Sequence, residues 1–217
     1  MAQTKEYRHF CPVARSLEVI GERWSLLVVR DLLRGPQRFT DLMAYAGGIT
    51  PKWLSLRLRH LESAGIVERV ARVGRREVRY KLTAKGRDLE PVIASLAVWG
   101  IDHALRPPLA GEPIFPEQTL SAVTFYLNHD SVRLRRPAAW QFRFGDVCHE
   151  VRFDGARWAL GEAAGSPDIV ITTTPAQLVA LLTLPRARRE TRLASFDVAG
   201  SPSHVRAFVD IIVGARA

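Results

Sequence analysis

Residues 47–65 read GGITPKWLSLRLRHLESAG and contain the start and stop signals of one short helix. Thr50 is a favourable N-cap residue, Pro51 suits the first helical position, and Gly65 supplies a left-handed stop. Three leucines recur at the spacing of a single buried helical face: Leu54, Leu58 and Leu61. The opposite face is predicted to hold Lys52, Leu56, Arg59 and Ser63, with Ser55 and His60 on its flanks. Such a helix suits the DNA major groove, although this stretch alone fits a surface helix with solvated charges equally well.

The residues that follow predict a basic hairpin. Residues 66–72 and 77–82 have the composition of two strands with a short connection between them. The basic side chains expected to face a partner from this hairpin are Arg75, Arg76 and Arg79. A further helix opens at Thr83. A helix, a basic hairpin and another helix in this order are typical of a winged helix-turn-helix domain.

Positive charge is concentrated in the same region. Between Thr50 and Arg87 there are eleven basic and three acidic side chains, a net +8 out of the chain's formal +9. A cluster of this size indicates a polyanionic partner. We therefore interpret the predicted helix and hairpin as a surface for double-stranded DNA.

A long helix is predicted from Leu89 to Leu105, and it has two apolar faces. The first consists of Leu89, Val92, Ile93, Leu96 and Trp99 and is predicted to cover the helix's own domain. The second consists of Ala94, Val98, Ile101 and Leu105. A second copy of the chain is the simplest partner for this second face, so we predict homodimerisation through its four residues. Packing against the C-terminal half of the chain is the alternative.

The composition is that of an ordinary globular protein, with 47% hydrophobic and 24% charged residues among 217. No apolar run approaches the ~20 residues that span a bilayer, and the N-terminus shows no secretory signal, so we expect no membrane partner. Cys11 and Cys148 cannot form a disulfide framework, so a reducing cytoplasm is the expected compartment. The six histidines show no ligand spacing, so we expect neither a metal site nor a cofactor.

The proline-rich residues 106–118 mark a predicted boundary between two domains. Residues 1–105 form the predicted winged helix-turn-helix domain for DNA binding and dimerisation. Residues 119–217 begin with a helical pattern and continue with strands separated by Gly-Asp and Asp-Gly turns, followed by further strands and helices. The predicted fold class is therefore α+β. Beyond Leu105 there are 13 basic and 11 acidic residues, so we expect no comparable DNA-binding surface in the second half.

The first half resembles the HxlR family of bacterial winged-helix regulators. The matching motifs are CPV at 11–13, IGERW at 20–24, LLRGPQRF at 32–39, GITPK at 48–52, LRHLESAG at 58–65 and YKLT at 80–83. The resemblance implies a bacterial cytoplasmic homodimer in which the N-terminal and long post-wing helices pair, with one recognition helix for each DNA half-site. It also implies that the residues facing the groove are Thr50, Pro51, Lys52, Ser55, Leu56 and Arg59.

Two positions depart from the family pattern. Leu56 stands where many relatives have a polar residue, which leaves contact with a thymine methyl group in place of a hydrogen bond. The wing has Gly74, Arg75 and Arg76 where a proline-containing tip is common, which implies a more mobile and more basic wing.

The second half resembles sterol-carrier-type lipid-binding domains. The matching motifs are FDG at 153–155, PDIVIT at 167–172 and FDVAG at 196–200. This resemblance implies an apolar cavity without catalytic residues. No nucleophile, general base and orienting group occur together in a motif, so we expect a protein that is not an enzyme.

These observations predict a homodimeric, sequence-specific transcriptional regulator whose second domain binds an apolar small molecule or lipid. One alternative makes the second domain a dimerisation or spacer module with a filled core. Another makes Cys11 a redox- or electrophile-sensing thiol at a helix N-terminus, as in some family members, against the simpler reading of a small buried side chain. A third is a lipid-binding protein whose winged helix serves only protein contacts.

Overall fold

The computed structural model describes residues 6–71, 77–129, 134–163 and 165–213, and the chain divides into two compact units, residues 1–93 and 94–217. The elements of the first unit are α1 (Pro12–Ile20), α2 (Ser25–Leu33), β1 (Gln37–Arg38), α3 (Phe39–Tyr45), α4 (Pro51–Ser63), β2 (Val67–Ala71), β3 (Val78–Leu82) and α5 (Ala84–Arg87). Helix α6 (Glu90–His103) includes the division between the two residue ranges. The domain boundary after Leu105 stays a prediction.

Helix α4 begins and ends where its sequence signals predict. Thr50 is its N-cap, and the Thr50 hydroxyl accepts a hydrogen bond from the backbone N–H of Trp53 at 3.4 Å. Gly65 follows the last turn with φ of +70°, and the Ile66 N–H donates to the Leu61 carbonyl at 2.9 Å. This left-handed residue ends the helix and leads the chain into β2.

The leucine stripe of α4 faces the core of the first unit. Leu54, Leu58 and Leu61 have 0%, 1% and 0% of their surface exposed. The same core contains Val28, Val29, Leu32, Leu42, Ile66 and Leu82 from the other elements. The predicted burial of the stripe is confirmed, and the opposite side of α4 is therefore directed away from the core.

Strand β3 is the central strand of an antiparallel sheet with the order β1-β3-β2. Val67 pairs with Leu82 and Ala71 pairs with Val78, so β2 and β3 are the two arms of the predicted hairpin. Strand β1 was not predicted, because two residues show no periodicity and its pairing with β3 is long-range. Helices α1 to α4 together with this sheet form a winged helix-turn-helix domain.

Of the two helices at the start of the unit, α1 begins where the sequence indicates and α2 does not. Helix α1 begins at Pro12 with Cys11 as its N-cap, as the Cys-Pro pair predicts. Helix α2 begins at Ser25, although the helical pattern of the sequence begins at Glu22. The reason is Trp24, whose φ of +78° is left-handed and is incompatible with a right-handed helix.

The second unit is a mixed sheet with helices. After α6 its elements are α7 (Pro116–His129), β4 (Ala138–Phe144), β5 (Val147–Phe153), β6 (Trp158–Glu162), β7 (Ile169–Thr172), α8 (Pro175–Leu182), α9 (Arg186–Leu193), β8 (Asp197–Gly200) and α10 (Pro202–Val213). The strand order is β6-β5-β4-β7-β8, and β4 and β7 are the parallel pair. No helix within the described ranges is long and apolar enough to cross a membrane.

Aromatic side chains fill the space between the sheet and the helices of this unit. The rings of Trp140 and Trp158 have centroids 4.4 Å apart, and Phe208 of α10 lies edge-on to Trp140 at 5.1 Å. Helices α7 and α8 add Leu120, Val123, Leu127, Leu178 and Leu181 to the same buried cluster. These residues make an α+β layer with a densely packed interior.

Two helices of the second unit differ from their predictions. Helix α7 begins at Pro116, before the helical pattern of the sequence that begins at Leu120, because the Phe115 carbonyl already accepts from the Gln118 and Thr119 N–H groups at 3.1 Å. Residues 116–118 of the predicted linker are therefore helical. Helix α9 was not predicted, because its sequence RARRETRL has four arginines and no apolar repeat.

Candidate nucleic-acid interface

The outward side of α4 presents most of the residues predicted to enter the groove. Lys52 and Arg59 are exposed, and no ion pair involves either of them in the described part of the chain. The other predicted positions are Thr50 and Pro51, which are exposed, and Ser55 and Leu56, which are half-buried. Lys52 and Arg59 are seven positions apart in sequence, so they lie two turns apart on the same side of the helix. This side can therefore direct two cations toward the same face of a partner.

Much of the formal charge around α4 is neutralised by ion pairs. The pairs are Arg57–Glu22 at 3.3 Å, Arg69–Glu62 at 2.6 Å, Arg79–Glu77 at 2.5 Å and Lys81–Glu68 at 2.9 Å. Arg57 is also buried, with 6% of its surface exposed. Four of the eleven basic residues are therefore paired within the residues that the structure describes; the net +8 already accounts for Glu62, Glu68 and Glu77, and the pair with Glu22 compensates one further charge.

Arg79 belongs to a small ion cluster at the edge of β3. Its Nε donates to Glu77 Oε1 at 2.5 Å, and the same oxygen accepts from Arg38 Nε of β1 at 2.8 Å. The Arg79 hydrogen bond, assisted by Arg38, holds the pKa of Glu77 below its ordinary value. Arg79 is half-buried and forms an ion pair with Glu77. Its contact with DNA stays a prediction.

The tip of the wing lies outside the described residues. Arg75 and Arg76, the other two predicted wing contacts, fall within residues 72–76, so their role as DNA contacts stays a prediction.

Two residues beside α4 were missed in the sequence-based assignment of the site. Trp53 in the first turn of α4 has 52% of its surface exposed. Arg23, just before α2, is exposed, and its guanidinium lies 4.9 Å from the centroid of the Trp24 ring. The signal that could have found Trp53 is its position off the leucine stripe, where a large apolar residue has no core to fill. Arg23 falls within the IGERW motif, but no local pattern indicates its approach to α4, because that approach depends on the tertiary fold.

The predicted dimerisation residues differ in how much they are exposed. Leu105 is 45% exposed, Ala94 and Ile101 are half-buried, and Val98 is buried with 6% exposed. The most exposed apolar side chains of α6 instead include Val92, Leu96 and Trp99, at 41%, 49% and 59%. Both faces of α6 therefore keep exposed apolar side chains, and dimerisation through Ala94, Val98, Ile101 and Leu105 stays a prediction.

Cys11, the predicted thiol sensor, is a free, half-buried cysteine at the N-cap of α1. Its backbone N–H donates to the His9 carbonyl at 2.9 Å, and its own carbonyl accepts from the Arg15 N–H at 3.0 Å. The thiol itself makes no capping hydrogen bond to the helix.

Comparison with known proteins places the first unit among transcriptional regulators. A model of the HxlR-like helix-turn-helix family matches residues 19–107. The chain is 38% identical over 98 residues to the uncharacterized HTH-type transcriptional regulator sll1512 of Synechocystis, covering 45% of this chain and 73% of that protein. It is also 38% identical over 91 residues to the uncharacterized HTH-type transcriptional regulator YybR of Bacillus subtilis, covering 42% of this chain and 73% of YybR.

Among solved structures, the chain is similar to the reduced form of the transcriptional regulator YodB from B. subtilis. The identity is 33% and the TM-score is 0.39, over 44% of this chain and 96% of YodB. The family match ends at residue 107, so it does not include the sheet of the second unit.

Proposed function

This chain belongs to the HxlR-like helix-turn-helix family of transcriptional regulators, and on that basis we propose that it binds specific DNA sequences as a homodimer. In this proposal α4 is the recognition helix. Its groove-facing residues are Thr50, Pro51, Lys52, Ser55, Leu56 and Arg59, and Arg75, Arg76 and Arg79 of the wing contact the backbone.

The observation that supports the proposal most directly is the two-sided character of α4. Its leucines are buried, while Lys52 and Arg59 project outward without an ion pair in the described part of the chain. A helix with side chains is about 10–12 Å across, and the major groove of B-DNA is about 12 Å wide. Lys52 and Arg59 can therefore hydrogen-bond to base edges, with guanine O6 and N7 as the preferred acceptors.

The homodimer is supported by the exposed apolar side of α6. Val92, Leu96 and Trp99 lie at helical spacing and are each more than 40% exposed. A second copy of the chain would cover them symmetrically. Two recognition helices would then read half-sites about one helical turn apart, or a multiple of it.

Selection of binding sites from random duplexes, followed by footprinting, tests the proposal. We expect a two-fold symmetric site, and a salt slope of roughly −7 in a log–log plot if a dimer contacts about 8 phosphates. Lys52→Ala and Arg59→Ala should relax sequence preference, whereas a double Arg75→Ala, Arg76→Ala variant should weaken binding to all sequences alike. Selection that yields no enriched sequence would contradict sequence-specific binding. Negligible DNA affinity combined with tight lipid binding would support the lipid-binding alternative.

An apolar effector bound by the second unit is the next part of the proposal. A surface cleft of about 310 Å³ offers one place for it, lined by apolar side chains such as Ile114 and Phe115 and also by the charged Arg106 and Glu112. Small-molecule sites have volumes of about 300–1,000 Å³, so this cleft is at the lower limit. The packed aromatic interior fits the alternative of a spacer domain with a filled core. Native mass spectrometry of the purified protein should detect a bound apolar ligand, and finding none, together with no uptake of added lipid, would favour the spacer.

Thiol sensing through Cys11 is a second candidate function. It is supported by the position of Cys11, a free and half-buried cysteine, at the N-cap of α1. If Cys11 is the sensor, a mild thiol oxidant should release DNA from the native protein and not from a Cys11→Ser variant. Equal release from both proteins would rule it out.

A further inference from the structure

A cleft of about 470 Å³ lies beside the first turn of α4, outside the face that holds Lys52 and Arg59. One wall is the junction between α1 and α2, and the other is the N-terminal end of α4. Its lining includes Glu22, Arg23, Trp24, Thr50, Trp53 and Arg57. None of these six except Thr50 was predicted to contact DNA. The cleft combines aromatic surface with cationic side chains, a combination that suits an anionic ligand.

Arg23 is the exposed cation of the cleft. Its guanidinium lies 4.9 Å from the centroid of the Trp24 ring, within the range of a cation–π contact. Trp24 has a left-handed φ of +78°, which is unusual for a bulky residue and costs conformational energy. No ion pair involves Arg23 in the described part of the chain. The fold therefore holds a cation here without neutralising it.

The other two charges of the cleft compensate each other. Arg57 is buried, and its Nη2 lies 3.3 Å from Oε2 of Glu22. The Glu22 side chain is half-exposed, so without Arg57 its carboxylate would repel an anion from the entrance. With this pair formed, the cleft has a net charge close to that of Arg23 alone.

Two backbone groups in the first turn of α4 are not available to an anion. Pro51 has no N–H, and the N–H of Trp53 already donates to the Thr50 hydroxyl. A charged side chain adds to what the backbone can supply, and Arg23 is the exposed cation that lines the cleft.

The position of the cleft on the flank of α4 points to a DNA phosphate as the anion. When a helix occupies the major groove, its outward face meets the bases and its two flanks face the phosphates that line the groove. Lys52 and Arg59 define the outward face, while Trp53 and Arg57, one turn apart, define the flank that forms the cleft. Most protein–DNA hydrogen bonds are made to phosphate oxygens and sugars, and arginine is a preferred donor to them.

We infer that this cleft binds one backbone phosphodiester of the duplex next to the bases that α4 reads, with Arg23 as the phosphate ligand and Trp53 packed beside it. The inference rests on the proposed DNA binding. It assigns to Arg23 a positioning role that is independent of sequence, unlike that of Lys52 and Arg59.

The test compares three variants of the full-length protein with the native chain. Arg23→Gln removes the charge, Arg23→Lys keeps it, and Arg143→Gln removes one exposed cation from the second unit as a matched control for net charge. Affinity is measured by filter binding across a salt series, with the selected site and with a scrambled duplex. Circular dichroism and thermal melting confirm that each variant is folded.

We expect Arg23→Gln to weaken binding to both duplexes by the same factor, roughly tenfold per subunit at about 0.1 M salt. Its log–log salt slope should become shallower by about 0.9 for each subunit that contacts DNA. Arg23→Lys should keep the native slope, because an ammonium group still neutralises a phosphate. An Arg23→Gln slope equal to that of Arg143→Gln would overturn the inference, as would a loss confined to the selected site. Native protein that binds neither duplex would instead refute the proposed function itself.

Discussion

Among the described glycines, Gly86 in α5 has the least room for a side chain. A Cβ atom at this position would lie 2.2 Å from the carbonyl oxygen of Ile66 and 3.1 Å from Cδ2 of Leu82. The Ile66 carbonyl accepts hydrogen bonds from the backbone N–H and the hydroxyl of Thr83, at 3.0 and 3.2 Å. It therefore cannot move away without breaking the link between β2 and α5, which fixes the base of the wing.

Gly86→Ala should consequently lower the free energy of unfolding by about 1–3 kcal/mol, the usual cost of overpacking a tight site. Gly100→Ala is the matched control, because Gly100 lies within α6 and its Cβ would meet no atom within 4 Å. That control should gain about 0.5–1 kcal/mol from the better helix propensity of alanine. Urea denaturation followed by circular dichroism measures both changes. Equal shifts in the two variants would show that the contact with Ile66 is not restrictive.

Arg57 shows what a sequence reveals about a single residue and what it does not. Its place in a basic segment counted it among the charges available to DNA, yet it is buried and paired with Glu22. The two residues are 35 positions apart, so only the packing of α4 against the α1–α2 junction brings them together. Lys52 and Arg59 were predicted correctly as outward residues because the adjacent leucines fix the orientation of the helix.

At the scale of elements, a shared carboxylate links β1 to β3. Glu77, just before β3, accepts hydrogen bonds from Arg79 of its own strand and from Arg38 of β1. The Arg79 hydrogen bond, followed by that of Arg38, lowers the pKa of Glu77 from its ordinary value of 4.5. A carboxylate with a lowered pKa stabilises the folded state above its unfolded-state pKa, and this contribution disappears as the pH falls through the folded-state value.

The difference in stability between the native protein and Glu77→Gln should therefore be fully present above about pH 4.5 and should shrink toward zero at lower pH. Urea denaturation at a series of pH values from about 6 to 3 measures it, and comparing the two proteins removes the contribution of other acidic groups. Glu68→Gln, which removes an exposed carboxylate from β2, is the control that keeps the Glu77 cluster intact. A difference that stays constant across this range would contradict the role assigned to the two arginines.

Prediction of the elements succeeded where the local signals were complete. Helix α4 has a cap, a proline, a leucine stripe and a terminal glycine, and its observed bounds lie within a residue or two of the predicted ones. Strand β1 and helix α9 have no such signals. Strand β1 exists only through its register with β3, in which Gln37 pairs with Tyr80. Among the described side chains of α9, Leu193 is the buried one. Elements that depend on distant partners cannot be identified from local periodicity.

At the scale of the whole molecule, α6 determines how two copies of the chain could associate. Its exposed apolar side holds Val92, Leu96 and Trp99, and the Trp99 ring is 5.4 Å from that of His103. Fully burying one large apolar side chain contributes about 1.5–3 kcal/mol, so covering these three partly exposed side chains on each copy would favour association. Leu105, the most exposed residue of the sequence-predicted face, offers a competing interface.

Leu96→Glu should convert the dimer into a monomer, because it places a carboxylate in the middle of the exposed stripe, where a second copy would desolvate it. We expect the dimer dissociation constant to rise by about 100-fold, equivalent to about 3 kcal/mol. Sedimentation velocity over a concentration series measures it. Val147→Glu is the matched control, because Val147 is 50% exposed on β5 and the substitution is equally polar. Leu105→Glu tests the face predicted from the sequence. If Leu105→Glu dissociates the proposed dimer and Leu96→Glu does not, the interface is the sequence-predicted one. The side with Val92, Leu96 and Trp99 would then have to be covered in another way.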